Sequence, residues 1–543
     1  LTEAAAVAVA PPVTREARPV RRARLGFGDH VAPGLAVLGV LVLWEVLGRA
    51  EVFGHAALPA PTAIAQQLWR DRAIYPGNIG TTLREAWPGF VWGNLAAIAL
   101  GIVFVLAPPV EKALSGTIVG LLCMPLIAIG PVLAIVLNGD APKSVLAGLS
   151  VFFLTLIATV LGMRSADRAA IDVVRAAGGG WWDVVLRVRL RSAVPTIVVA
   201  LQLAAPSALL GALLGEFLGG TNGLGVTMMA SMSQLQTERT WGLALVATAL
   251  GGIGYVGIGL VARLLGVAGA EPPMNVAPSA SRRHRPAPIR GLRAVLFAGL
   301  STAVTLGLWL AFVKGLDLNP FFAKTPGDVW RFVGTGEHRR VLLHALGQTA
   351  PTALLGYLVG LAAACAGAMV FVLWRGVERA VMPLALVVQS IPLAALTPLL
   401  VLLLGRGLLA TVVVSVLVTF FPSLVTITKG LRAAPPQLLD VLRTYGASRW
   451  TMLRRVQLPA AVPGIFAAAR ASAPRALLGV LIAEYLATGV GIGWMLNLAK
   501  TRSEFSLVWT GAVMITVISV LAYSAVGWLE RVMLGRYAPE VLS

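Results

Sequence analysis

The chain repeats itself in register. Asp172, Arg175 and Gly178 recur as Asp440, Arg443 and Gly446, an offset of 446 − 178 = 268 residues. At the same offset Trp182 matches Trp450, Arg187 matches Arg455, Leu190 matches Leu458, Pro195 matches Pro463 and Glu216 matches Glu484. Gly223 and Gly225 match Gly491 and Gly493. Pro125 and Pro131 match Pro392 and Pro398 one residue out of that register, and Trp44 and Trp309 open the series. Chance does not hold register over most of a chain, so this is a tandem duplication, and it constrains the fold before any other feature does.

What is duplicated is a set of apolar runs. The 543 residues are 57% hydrophobic and 13% charged, against about 25% charged in soluble domains. Runs near 20 residues long are the length that crosses a bilayer core as a helix. The sequence therefore predicts an all-α polytopic membrane protein, two parallel six-helix repeats with about twelve transmembrane helices. Expected spans are 31–48, 87–107, 112–137, 144–163, 193–218 and 241–266, then 292–314, 349–374, 378–404, 408–429, 462–487 and 506–530. Residues 1–30 read as an N-terminal tail, 31–268 and 292–543 as the two repeats, and 269–291, rich in Pro, Ser and Arg, as a linker.

Charge orients the spans. The formal excess is +20, as expected where Lys and Arg gather in cytoplasmic loops. No groove-reading motif supports nucleic-acid binding. The cluster Arg15, Arg18, Arg21, Arg22 and Arg24 follows the short apolar "AAAVAVA" rather than preceding it, so the N-terminus reads as a cytoplasmic tail and not a cleaved signal. Six spans then return the chain to the cytoplasm at the basic linker. Loops 164–192 and 430–461 fall on that side too, and both termini are expected to be cytoplasmic. Cys123 and Cys365 lie in apolar runs, and the five histidines show no metal-ligand spacing.

The two loops are basic and amphipathic. Leu438, Val441, Leu442 and Tyr445 form a helical stripe, Gly446 stops it, and Ser448 can cap a second short helix carrying Trp450, Leu453 and Val456. Pro459 and Pro463 are expected to end that helix and start the next span. An interfacial helix on anionic lipid and a solvated positive loop both fit one such element. Neither explains its recurrence in both halves, whereas a surface receiving two copies of one partner does.

These loops resemble the docking loops of ABC importer permeases, whose signature runs Glu-Ala-Ala, three residues, Gly, nine residues, Ile, one residue, Leu-Pro. Here the second half has Asp440, Val441, Leu442, Gly446, Val456, Leu458 and Pro459. The first half has Asp172, Val173, Val174, Gly178, Val188 and Leu190, then Arg191 in place of proline. "LPAPTAI" and "KTPGDVW" resemble the Pro-Ser-Pro lead-in of permeases for nitrate, sulfonate and taurine, and "IPLAALTPLLVLLLGRG" (391–407) resembles their third span. The resemblance implies a type I importer-like permease with two copies fused in one chain. It implies docking residues Asp172, Arg175, Gly178, Leu190, Asp440, Arg443, Gly446, Leu458 and Pro459. It also implies two ABC ATPase subunits and an extracytoplasmic solute-binding protein as partners, in a bacterial inner membrane. No Gly-x-x-x-x-Gly-Lys-Ser/Thr loop occurs, so the chain is read as no enzyme, without cofactor, ATP and Mg²⁺ being held by the partner.

The rival reading is a secondary transporter with two parallel six-helix halves, which needs buried coupling carboxylates. Glu216 and Glu484 are read as the only acidic residues deep in a half. Polar groups in spans are costly and usually functional, so Arg470, Arg475, their duplicates Gln202 and Ser207, and also Gln389, Ser390, Glu216 and Glu484, are candidate pathway residues. Arg475 sits roughly 18 Å along its helix from Pro463, near mid-membrane.

Overall fold

The computed structural model describes residues 27–50, 58–266, 289–379, 381–382 and 393–537. Most of the N-terminal tail and linker, together with Gln389 and Ser390, lie outside the described residues. The first half comprises α1 (Phe27–Arg49), α2 (Pro61–Arg70), α3 (Tyr75–Leu106), α4 (Pro108–Cys123), α5 (Leu126–Val136), α6 (Ala141–Arg164) and α7 (Arg168–Ala176). It continues with α8 (Trp181–Gly219), α9 (Leu224–Ser233) and α10 (Thr237–Leu264). The second half repeats the series as α11 (Ile289–Gly315), α12 (Pro326–Gly334), α13 (Gly336–Leu373), α14 (Leu393–Leu404), α15 (Leu408–Arg432) and α16 (Pro436–Thr444). It ends with α17 (Arg449–Leu486), α18 (Gly491–Thr501) and α19 (Phe505–Tyr537). Among the described residues eight helices are long and apolar enough to cross a bilayer, or nine with the bent pair α4–α5.

Three sequence expectations need correction. The expected span 112–137 is broken: α4 and α5 meet at 97°. Pro125 at the break has no N–H to continue the ladder of α4, and it stands as the extended N-cap of α5. The second span of each half starts earlier than expected, at Tyr75 and Gly336, because Pro88 and Pro351 are absorbed within α3 and α13. Pro459 does not end a short helix either. The turn begun at Arg449 runs unbroken into α17 through a π segment, Leu453–Gln457, and Val184–Arg189 does the same in α8. The first half has Arg191 where Pro459 stands, so proline alone does not cause the widened turn.

Small residues set the packing. Within each half the central helix, α6 or α15, lies between two neighbours. A Cβ on Gly211 of α8 would come within 2.7 Å of the Ala147 backbone, and one on Gly479 of α17 within 2.9 Å of Ser415. Such close backbone approach is how helices associate where lipid gives no hydrophobic drive. Gly89 of α3 meets Ser144 and Ala147 of α6, and Gly101 meets Thr159, so α3 and α6 run parallel. Thr155 donates to Asn94 Oδ1 (2.5 Å), Ser150 to the Ser207 carbonyl (2.7 Å), and Ser423 pairs with Ser472 (2.6 Å).

The halves interlock. α5 packs against α17, α18 and α19, while α14 packs against α9 and α10. The first helix of the second half, α11, lies on α4 of the first half. There the Thr117 N–H donates to Ser301 (3.1 Å), and the Thr117 and Thr305 hydroxyls meet at 2.7 Å. Lys500 of α18 donates to the Leu218 carbonyl at the C-terminal end of α8, a cation placed at the negative end of a helix. The repeated Trp44 and Trp309 have a plain role. Each indole N–H closes the connection after its helix, onto Pro59 (3.0 Å) or Lys324 (3.1 Å). Each ring also packs on a tryptophan of its half's last helix, Trp241 or Trp509.

Candidate functional site

Each half presents the same surface element between its central helix and the helix that follows. α7 and α16 bury none of their side chains. Both end in a left-handed glycine, Gly178 (φ +79°) and Gly446 (φ +71°). The next N–H closes back five residues, Gly179 onto Val174 (2.9 Å) and Ala447 onto Leu442 (3.0 Å), the bonding of a Schellman cap. Ser448 then caps the following turn, accepting from the Thr451 N–H at 3.2 Å, while Asp183 accepts from the Gly180 N–H at 3.0 Å. Arg443 pairs with Asp440 at 3.0 Å. Asp172 and Arg175 are exposed, and Leu190 and Leu458 are half-buried where the element joins the span.

Most apolar side chains of this element point outward, while Leu442 and Val456 are half-buried and Leu453 is buried in the core at the root of α17. Leu438, Val441 and Trp450 are exposed, and Tyr445 is 85% accessible; Val173, Trp181 and Trp182 do the same in the first half. A duplicated ion pair that sequence pattern did not reveal steadies each element's base: Arg164–Glu111 (2.6 Å) and Arg432–Glu378. Its members lie 53 or 54 residues apart, beyond any local periodicity. The Arg449 guanidinium further donates to the Leu373 carbonyl (3.1 Å) at the end of α13.

Glu216 and Glu484 lie deep in the protein, each 2% exposed. Glu216 accepts from the Thr82 hydroxyl (2.6 Å) and the Gly225 N–H (2.5 Å). Glu484 accepts from Thr349 (2.9 Å) and the Gly493 N–H (2.9 Å). The same threonines accept from the Leu224 N–H (3.0 Å) and the Ile492 N–H (2.9 Å). Each carboxylate thus fastens the first turn of a short helix, α9 or α18, to the long helix α3 or α13. The paired glycines follow from this. A side chain on Gly223 or Gly491, both at positive φ, would collide with the glutamate carboxyl.

Glu216 and Glu484 are not the only deep acids, as the sequence suggested. Glu85 is fully buried on α3, in the stretch that the expected span left out. Lys143 ion-pairs with it and with Asp140 (2.9 Å). The Glu85 carboxylate also faces Glu216, and among the described residues no geometrically formed hydrogen bond reaches its Oε2. The second half has Thr352, Thr411 and Leu408 in place of Glu85, Lys143 and Asp140, so this charged group belongs to the first half alone.

Of the remaining candidates, Arg470 lies over the Tyr523 ring (4.5 Å) and pairs with Glu530 of α19 at 3.3 Å. Its duplicate Gln202 lies against Gly259 of α10, so both sit on the last helix of their own half. Ser207 turns its hydroxyl to the Leu203 carbonyl (2.9 Å). Arg475 differs. Its helix is the most buried of the spans, yet Arg475 is exposed between buried Ala473, Ala476 and Leu477. Among the described residues no hydrogen bond or ion pair reaches it.

Fold and paired elements together are those of a membrane-transport permease in duplicate. The family described as binding-protein-dependent transport system inner membrane component matches residues 89–267 and again 356–535, and the chain belongs to it as a fused double permease. The riboflavin transport system permease protein of Chloroflexus aurantiacus is 30% identical over 253 residues, 45% of this chain and 93% of the relative. A putative aliphatic sulfonates transport permease protein of Bacillus subtilis is 30% identical over 216 residues, 39% of this chain and 78% of the relative. The formylaminopyrimidine transport permease protein of Halalkalibacterium halodurans is 31% identical over 158 residues, 29% and 63% of the two chains. A relative covered almost whole by less than half of this chain is a single permease beside a double one.

The one-sided charge group gives a direct test. Removing one member of a buried ion pair costs about 3–5 kcal/mol, because the other stays charged and alone. Lys143→Thr is expected to lower the melting temperature of the detergent-purified protein sharply. Glu85→Thr together with Lys143→Thr installs second-half chemistry and is expected to recover most of the loss. A double variant no more stable than Lys143→Thr would contradict the pairing.

Proposed function

We propose that this chain forms the entire membrane pathway of an ATP-driven importer. Two ABC ATPase subunits dock on the α7 and α16 elements, which places that face and both termini in the cytoplasm of a bacterial inner membrane. An extracytoplasmic solute-binding protein delivers solute to the opposite face. The observation that carries this reading is the duplicated, outward-facing apolar element with its glycine cap, a binding surface built twice. ATP and Mg²⁺ belong to the ATPase partner, and this chain does no chemistry of its own.

The solute is small and anionic. An arginine facing hydrocarbon costs at least about 2.5–3.5 kcal/mol on insertion scales. An accessible Arg475 on the most buried span, unpaired among the described residues, is therefore best accounted for by a water-filled pathway between the halves. Its duplicate is Ser207, so the symmetry of the fold does not demand a cation there. The relatives are named for riboflavin, a formylaminopyrimidine and aliphatic sulfonates, and among these chemistries a free guanidinium favours the sulfonate kind, with nitrate, taurine or an anionic vitamin precursor as related cargoes. A secondary transporter is the weaker reading. Its coupling carboxylates would be Glu85, Glu216 or Glu484, and these are engaged with Lys143, Thr82, Thr349 and backbone N–H groups.

In vesicles holding the assembled complex, uptake is expected to require hydrolysable ATP and to survive a protonophore. Gly446→Trp should insert normally and abolish ATP-dependent uptake, while Gly446→Asn, which tolerates the left-handed turn, should retain it. Uptake collapsed by the protonophore and indifferent to ATP would overturn the reading. Arg475→Gln is expected to reduce solute-stimulated ATPase activity about tenfold or more, the loss of roughly 1.4 kcal/mol of binding, with basal activity retained. Unchanged stimulation would remove the case for an anion.

A further inference from the structure

Two short helices have faces that the transport reading does not use. α2 and α12 each lead into a long helix, α3 or α13. Because α3 runs parallel to α6, they lie at the opposite end of the bundle from α7 and α16. Each is amphipathic at matching positions. Ile64 and Leu68 of α2, and Val329 and Val333 of α12, turn toward the core. The other side of each carries a tryptophan followed by an arginine: Trp69–Arg70 and Trp330–Arg331. Trp69 is 72% accessible and Trp330 81%. Two of the acids nearby are already engaged, while Glu337 is exposed beside Arg339 and Arg340 without pairing with either. Asp71 takes a two-pronged bond from Arg239 (2.7 and 2.8 Å), which holds its carboxyl below the usual carboxylate range. Asp328 caps α12, held low by the Thr325 hydroxyl (2.7 Å). Among the described residues Arg70, Arg339 and Arg340 have no acidic partner, and Arg72 lies over the Trp69 ring at 4.9 Å.

We infer that α2 and α12 lie in the lipid headgroup layer, with Trp69 and Trp330 as interfacial anchors and Arg70, Arg72, Arg339 and Arg340 facing anionic phospholipid. Tryptophan prefers this depth because its ring is apolar and its N–H polar, and basic side chains on an interfacial helix are attracted to the phosphates of anionic lipid in that leaflet. The apolar surface is continuous with the bilayer: Leu83 and Trp87 of α3, and Val341 and Leu343 of α13, are exposed directly beyond the short helices. Each half carries such a tryptophan and arginines, at positions that do not match in the repeat (330 − 69 = 261, against 309 − 44 = 265), so the shared feature is their place at this end of the bundle, as bilayer contact on both sides of a two-half protein requires. A solute-binding protein would instead need these tryptophans in water. The anchors also bear on the bundle, since the connections from α1 and α11 close onto Pro59 and Lys324 just before each short helix.

The test uses the full chain with Cys123→Ala and Cys365→Ala, carrying Trp69→Cys or Trp330→Cys with a spin label. It is reconstituted in vesicles of phosphatidylethanolamine and phosphatidylglycerol. Both labels are expected to be more accessible to oxygen than to a water-soluble nickel chelate, at headgroup depth. Access mainly to the nickel chelate would make this a water-facing surface open to a protein partner, and protection from both would make it a protein contact; either overturns the inference. Independently, adding phosphatidylglycerol to phosphatidylcholine vesicles is expected to raise the melting temperature of the native chain. It should do so much less for a chain carrying Arg70→Gln, Arg72→Gln, Arg339→Gln and Arg340→Gln. An equal rise in both would overturn the part played by charge.

Discussion

No bulk water reaches the hydrocarbon core of a bilayer, so every polar group that a span carries there must meet another group of the protein or a watery pathway. Most of this chain obeys by pairing. Thr155 finds Asn94, Ser423 finds Ser472, and Glu216 and Glu484 take up threonine hydroxyls and the first N–H groups of α9 and α18. These ties are also what holds the broken and short helices against the long ones. Helix ends are where backbone groups go unsatisfied, and the glutamates sit at those ends. Against this background Arg475, with no partner among the described residues, stands out on the most buried span, and the case for an anionic solute rests on that contrast.

Duplication divides the molecule into what is repeated and what is not. The glycine-capped surface elements, the glutamate ties, the Arg164–Glu111 and Arg432–Glu378 pairs and the tryptophan closures occur twice. They are framework. The Asp140–Lys143–Glu85 group, Arg475, the Arg470–Glu530 pair and Lys500 occur once. Fusing two permeases frees each half to change without its copy changing, so single occurrences are where a pathway can become asymmetric for one solute. Lys500 shows this in small: its contact with Leu218 ties α18 of one half to α8 of the other, and its duplicate is Met232.

The repeat, the helical class and the form of the surface elements were legible in the sequence, because they rest on local signals held in register: Gly178 and Gly446 as caps, Ser448 as a cap, and an apolar stripe at helical spacing. The break after Cys123 was less so. A span's length is read from apolar composition, which runs unchanged through Met124 and Pro125. The merging of Arg449–Met452 into α17 is hidden in the sequence because Pro459 signals a stop, whereas a π turn carries the helix past it. The partners of the buried carboxylates could not be read at all. Thr82 and Glu216 are 134 residues apart, and only the packing of α3 on α8 brings them together. Glu85 escaped because the expected span began after it.

The central claim is that one chain supplies both halves of a pathway and both docking surfaces. The mass of the intact complex, measured after gentle release from membranes, tests it most directly. One copy of this chain with two ATPase subunits is the expected composition. Two copies of this chain for each pair of ATPase subunits would contradict the account, because each chain would then be using only one of its two elements.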